Sequence, residues 1–175
     1  MLKLLRTPFA WFLRPQASSP RSRPPAGAEP GPELTPEAAS RLAAVAVQMA
    51  ALAHQIELDY SPASLDKVEA LILGAKADVE TGASADESLH QMLLVFGCYV
   101  GEVLVRHLDF SWDAASPAER GLSGITFGLR APNGGFWNPI GRLYRLAANG
   151  AEDSIAAMYQ MARDTAARSI PAVLS

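Results

Sequence analysis

The run Met92-Leu-Leu-Val-Phe-Gly-Cys-Tyr-Val-Gly-Glu-Val-Leu-Val105 decides the fold. It is almost wholly apolar and carries one carboxylate, Glu102. As a helix it would reach about 21 Å, short of the roughly 30 Å hydrocarbon layer of a bilayer, so it reads as the central buried helix of a soluble domain. An ion in that interior must be paired or hydrogen-bonded, because an unpartnered buried charge costs several kcal/mol or changes its protonation. Gly97 and Gly101, four apart, share one side of the helix and let another backbone come close. Val95, Cys98, Glu102 and Arg106 form the neighbouring row, in which Glu102 and Arg106 are spaced to pair along the helix.

Upstream, Ser84 or Asp86 opens this helix, after a small and polar stretch from Gly74 that reads as a fraying helix end and a loop. Ser61-Pro62 caps the preceding helix, with Leu65, Val68, Leu71 and Ile72 inward. Before that, Thr35-Pro36-Glu37 is a helix start: hydroxyl cap, proline at the first position, acid in the first turn. Leu42, Val45, Met49, Leu52 and Ile56 recur at three- and four-residue steps, which predicts the buried stripe of that first helix.

Downstream the period changes. Phe110 and Trp112 alternate with Ser111, and Ile125, Phe127 and Leu129 alternate with polar or small residues, which predicts two half-buried strands. Asn133-Gly134-Gly135 is a turn and Phe136-Trp137 begins a third, shorter strand. Gly121-Leu-Ser-Gly124 reads as a loop. Asn138-Pro139 starts a helix with Ile140, Leu143 and Leu146 inward, ended by Asn149-Gly150. Glu152-Asp153-Ser154 opens a last helix packed through Ile155, Met158, Tyr159 and Ala162. The expected class is α+β: about five helices on a small antiparallel sheet of two or three strands, over residues 35–175.

Charge divides the chain of 175 residues. Residues 1–28 hold Lys3, Arg6, Arg14, Arg21 and Arg23 with no acid, a net +5; the remainder has 10 basic and 18 acidic residues, a net −8. An acidic body argues against nucleic acid as the partner, since phosphate binding needs a clustered basic surface. On a helical wheel, Lys3, Arg6 and Arg14 gather on one side of residues 1–14, and Leu2, Leu4, Leu5, Phe9, Trp11, Phe12 and Leu13 cover the rest. This basic amphipathic arm suits an anionic membrane interface, although Pro8 breaks its hydrogen bonding. A disordered or self-docked tail and an organelle transit peptide are the competing readings. Residues 15–34, with six prolines among Ser, Gly and Ala, read as a disordered tether.

One cysteine, Cys98, excludes an internal disulfide and fits a reducing, cytoplasmic location. His54, His90 and His107 are scattered without metal-ligand spacing, so neither metal nor cofactor is expected. The chain has no G-x-S-x-G elbow, no G-x-x-x-x-G-K-[ST] loop and no G-x-G-x-x-G turn. Glu102 therefore carries two readings. In one it forms a ligand pocket or reactive site with Tyr99, Asn138 and Arg142. In the other it is a structural carboxylate, taking hydrogen bonds from the start of the Asn138 helix or pairing with an arginine such as Arg106.

Three stretches in order, Ser61-Pro-Ala-Ser-Leu65, then Tyr99-Val-Gly-Glu-Val103 followed by Trp112, and then Asn138-Pro139 leading to Asn149-Gly150, carry a resemblance. They are similar to a group of small, functionally uncharacterised bacterial domains with S-x-x-S-L, Y-x-G-E-V, strand-tryptophan and N-P…N-G motifs. The likeness spans roughly residues 55–160, implies an α+β fold, and brings with it no activity, cofactor or partner. The expected function is a non-enzymatic protein-interaction module with an unknown protein partner, peripheral to the inner membrane through its arm. A small ligand-binding domain or enzyme is the alternative.

Overall fold

The computed structural model describes residues 34–123 and 126–169. The arm, the proline-rich linker and Ile125 lie outside the described residues.

The first helix, α1 (Pro36–His54), starts as its sequence dictates: Thr35 Oγ1 accepts from the Ala38 amide at 3.2 Å and Pro36 sits in the first turn. Its inner face is not the expected one. Ala38, Ala39, Leu42, Ala43, Ala46 and Ala50 are buried, whereas Val45, Met49 and Ile56 are only half-buried and Leu52 is 87% exposed. Packing explains the rotation. The alanine face lies on the central helix, and small side chains let two helix axes approach closely. Periodicity weighs large residues, so it reads the wrong phase here.

α2 (Ser64–Glu80) buries Leu65, Val68, Leu71 and Ile72, as expected, but runs six residues beyond Gly74. α3 (Asp86–Leu108) is buried without a break from Val95 to Leu104. Its glycines do what their spacing implies. A Cβ on Gly97 would come within 2.7 Å of the Ile140 Cα, and one on Gly101 would strike the Trp112 indole. Among the described residues α3 alone is long and apolar enough to cross a membrane, yet 67% of that apolar window is buried inside the domain. Its hydrophobicity is spent on the core.

Three short strands follow: β1 (Ser111–Ala114), β2 (Phe127–Arg130) and β3 (Phe136–Trp137). The sheet is antiparallel in the order β1-β2-β3, with Trp112 opposite Leu129 and Leu129 opposite Trp137. Between β1 and β2, residues 121–123 of the expected loop belong instead to a short helix, α4 (Pro117–Ser123), and Gly124 lies outside the described residues. A capping box starts it: the Ser116 amide donates to Glu119 Oε2 at 2.7 Å, and the Glu119 amide donates to Ser116 Oγ at 3.3 Å.

α5 (Pro139–Asn149) is capped by Asn138, whose Oδ1 accepts from the Gly141 amide at 2.8 Å, and closes at Gly150, φ +71°. A 3-10 turn (Gly150–Asp153) leads into α6 (Ile155–Ser169), which buries Ile155, Met158, Tyr159 and Ala162. A remote carboxylate caps α6. Glu69 Oε2 accepts from the Ile155 amide at 2.8 Å and from Ser154 Oγ at 2.9 Å, tying α2 to the helix's positive end. The described residues thus form six helices with a three-stranded antiparallel sheet, an α+β domain.

Candidate functional site

Glu102 is 7% exposed, and its hydrogen bonds converge on one carboxylate oxygen. Its Oε1 accepts from Ser40 Oγ of α1 at 2.8 Å and from Trp112 Nε1 of β1 at 2.9 Å. Its Oε2 faces Arg106 Nε at 3.7 Å, an ion pair too long for a good hydrogen bond. One carboxylate therefore joins α1, α3 and β1, giving the half-buried indole N–H its acceptor. Trp112 is wedged further by stacking on Phe127 at 5.2 Å and by resting against Gly101.

One turn toward the N-terminus of α3, Tyr99 performs a similar task. It is fully buried, and its hydroxyl oxygen accepts from the Tyr60 amide at 2.8 Å. That hydroxyl also lies 2.6 Å from Ser64 Oγ, whose own proton goes to the Ser61 carbonyl at 2.6 Å, so Tyr99 donates to Ser64. Tyr60 is held in the left-handed region at φ +61°, a conformation costly for a non-glycine residue unless its surroundings fix it. They do so on three sides. The ring stacks on Tyr99 at 4.8 Å, the Arg106 guanidinium covers it at 3.5 Å, and its carbonyl meets His107 Nε2 at 2.9 Å. Arg106 thus bridges the Tyr60 ring and Glu102.

These placements separate the residues singled out by sequence. Tyr99, Glu102 and Arg106 belong to one connected cluster with Tyr60, Ser64, Ser40 and Trp112. Asn138 and Arg142 do not join it through any hydrogen bond. Asn138 caps its own helix, and Arg142 Nη1 donates to Asp153 Oδ1 at 2.7 Å. Arg145 and Asn149 converge on the same carboxylate, at 3.2 and 2.7 Å, and together they hold Asp153 below the ordinary carboxylate range, the Asn149 hydrogen bond contributing most. The Arg142 Nε is buried without an acceptor. Glu102 takes nothing from the backbone at the start of α5; its partners are Ser40 and Trp112, which the sequence pattern did not single out for this role.

A second ionic knot ties the sheet. Arg130 donates through Nη1 and Nη2 to Glu119 at 2.8 and 3.2 Å and through Nε to Asp113 at 3.1 Å, with its guanidinium over the Phe136 ring at 4.9 Å. The Arg130 hydrogen bonds push the Glu119 carboxyl down to about 2.

Reactive chemistry is muted in the core. Burial, with a smaller contribution from the Glu102 charge, pushes the Cys98 thiol up to about 12, so the nucleophilic thiolate is scarce at neutral pH. Burial likewise raises Tyr99. Among the described residues no three metal-ligating side chains gather. His90 pairs with Asp86 at 3.6 Å and stacks on Tyr144, His107 bonds Tyr60, and His54 is exposed. A surface groove of about 340 Å³ runs past His107, Asp109, Pro132 and Arg163, and two of about 220 Å³ flank α2. Glu102, Tyr99, Asn138 and Arg142 line none of these three.

The chain matches no protein-family model, no curated protein and no solved structure.

Proposed function

We propose that this chain is a non-enzymatic protein-interaction module, of the group of small bacterial domains it resembles, held at the cytoplasmic side of an anionic membrane by residues 1–14. The observation that carries the first half is the structural engagement of Glu102. Both hydrogen bonds to its Oε1 come from the chain's own Ser40 and Trp112, and Arg106 stands at Oε2. A general base or a ligand-binding carboxylate faces a cleft, and Glu102 lines none of the three grooves described above. The alternative pocket joining Glu102 to Asn138 and Arg142 loses support because those two side chains are bonded elsewhere, to Gly141 and Asp153.

The second half is supported by the segregation of Lys3, Arg6 and Arg14 from Leu2, Leu5, Phe9, Trp11, Phe12 and Leu13, within residues outside those the structure describes. Co-sedimentation with vesicles containing anionic lipid tests it. The full chain should pellet, less so as salt rises, and a Lys3→Glu/Arg6→Glu/Arg14→Glu variant should stay in the supernatant. Equal pelleting of both proteins would reject the tether.

A further inference from the structure

The groove of about 340 Å³ at the C-terminal end of α3 carries two opposite charges that no described residue answers. Asp109 and Arg163 both line it, both are exposed, and neither makes a hydrogen bond or ion pair among the described residues. Their charged atoms therefore stand more than 4.0 Å apart along the same opening. Elsewhere in this fold arginines and acids that share a site close on one another, Arg130 on Asp113 and Glu119, Arg142 and Arg145 on Asp153. Here a gap is left between them. His107 adds a third polar group. Its Nε2 meets the Tyr60 carbonyl at 2.9 Å, and a carbonyl only accepts, so Nε2 carries the proton and Nδ1 of the neutral ring keeps a lone pair. The imidazole is thereby anchored to Tyr60, itself pinned between Tyr99 and Arg106. Asp109 ends α3 at φ +55°, at the negative end of the helix dipole, where a cation is favoured. Leu108, Pro132 and Ala166 contribute to the apolar lining.

We propose that this groove binds a free α-amino acid with an apolar side chain, its carboxylate on the Arg163 guanidinium, its ammonium on Asp109 and His107 Nδ1, and its side chain on the apolar lining. Charge selects this class. An anion alone would meet Asp109 and a cation alone would meet Arg163, whereas a zwitterion answers both. The two ends of an α-amino acid lie about 3 Å apart, and a hydrogen bond of about 2.8 Å at each end lets it bridge charges too far apart for a direct ion pair. The volume falls at the lower end of the range of about 300–1,000 Å³ for small-ligand sites, which suits a molecule of this size. The proposal goes beyond the interaction-module reading and uses neither Glu102 nor residues 1–14, so the two stand or fall separately.

Isothermal titration calorimetry of the full chain with leucine, valine and phenylalanine tests the site. Saturable one-to-one binding of at least one of the three is expected. Arg163→Ala and Asp109→Asn should each weaken it by about tenfold or more, since each removes a charge-assisted contact. Both side chains are exposed and asparagine accepts a left-handed backbone, so circular dichroism and Tm should not change. Blocked forms of the amino acid that binds separate its two ends. The methyl ester should bind the unaltered chain less well than the free acid but bind Arg163→Ala equally well, and the N-acetyl form should behave in the same way toward Asp109→Asn. No binding of any of the three at about 10 mM would overturn the proposal. So would binding indifferent to both substitutions, or blocked forms that bind the unaltered chain as well as the free amino acid does.

Discussion

Replacing Glu102 with glutamine leaves shape and volume almost unchanged and removes only the charge. The amide oxygen can still face Ser40 and Trp112, which donate at 2.8 and 2.9 Å. Hydrogen bonds to a charged group contribute about 1.5–3 kcal/mol and neutral ones about 0.5–1.5, so each of the two bonds weakens by about 1 kcal/mol. The new amide N–H₂ must also face Arg106, donor against donor, although half-exposed Arg106 can turn away to water. Glu102→Gln should therefore cost about 2 kcal/mol in total. In a domain of this size that is a fall of about 4–8 °C in Tm. Urea unfolding followed by circular dichroism should show a lower midpoint at an unchanged slope. A loss under about 0.5 kcal/mol, the range of an ordinary surface substitution, would refute the reasoning and reopen Glu102 as a functional carboxylate.

Other outcomes follow from the same geometry. Glu119 is depressed in the fold, so its contribution is present above its ordinary value of 4.5 and is lost as pH falls toward about 2. Glu119→Gln should accordingly flatten the acid limb of the stability–pH curve in that window while leaving its shape above pH 6 unaltered. Gly101→Ala drives a methyl into the Trp112 ring and should destabilise by about 1–3 kcal/mol, as overpacking does. Gly74→Ala meets nothing within 4 Å in mid-α2 and should stabilise by about 0.5–1 kcal/mol, both changes being read by chemical denaturation. Cys98 should resist a thiol reagent at pH 7 until denaturant is added, because its thiol is buried and pushed up to about 12. Rapid native labelling would show that the core opens.

What the sequence made legible follows from which interactions are local. Capping is local, so the starts at Thr35 and Asn138 and the stop at Gly150 could be read directly. The inner faces of α2 and α6 follow from large residues at helical spacing, and the Gly97/Gly101 side of α3 from an absence of side chain. α1 misled because its core face is alanine, which periodicity weighs lightly, while its outer face is larger and more hydrophobic. α4 was missed despite Ser116-Pro117-Ala118-Glu119, whose capping-box spacing announces a helix start. At the site, a lone acid in an apolar run pointed to Glu102. Its partners were hidden by distance: Ser40 lies 62 residues away, and Trp112 sits on a strand whose pairing fixes where the indole points. Arg142 was grouped with Glu102 because both were polar beside apolar rows. Its actual partner is Asp153, 11 residues on, beyond a turn whose course the spacing did not give.

The central claim is that Glu102 is consumed in holding Trp112 and Ser40, and a double-mutant cycle between Glu102→Ala and Trp112→Phe measures this directly. The phenylalanine keeps an aromatic ring over Gly101 and Phe127 but has no N–H to offer. If the carboxylate and the indole are bonded as described, the two losses should fall short of additivity by about 1 kcal/mol or more. Losses that simply add, with a coupling indistinguishable from zero, would contradict the account.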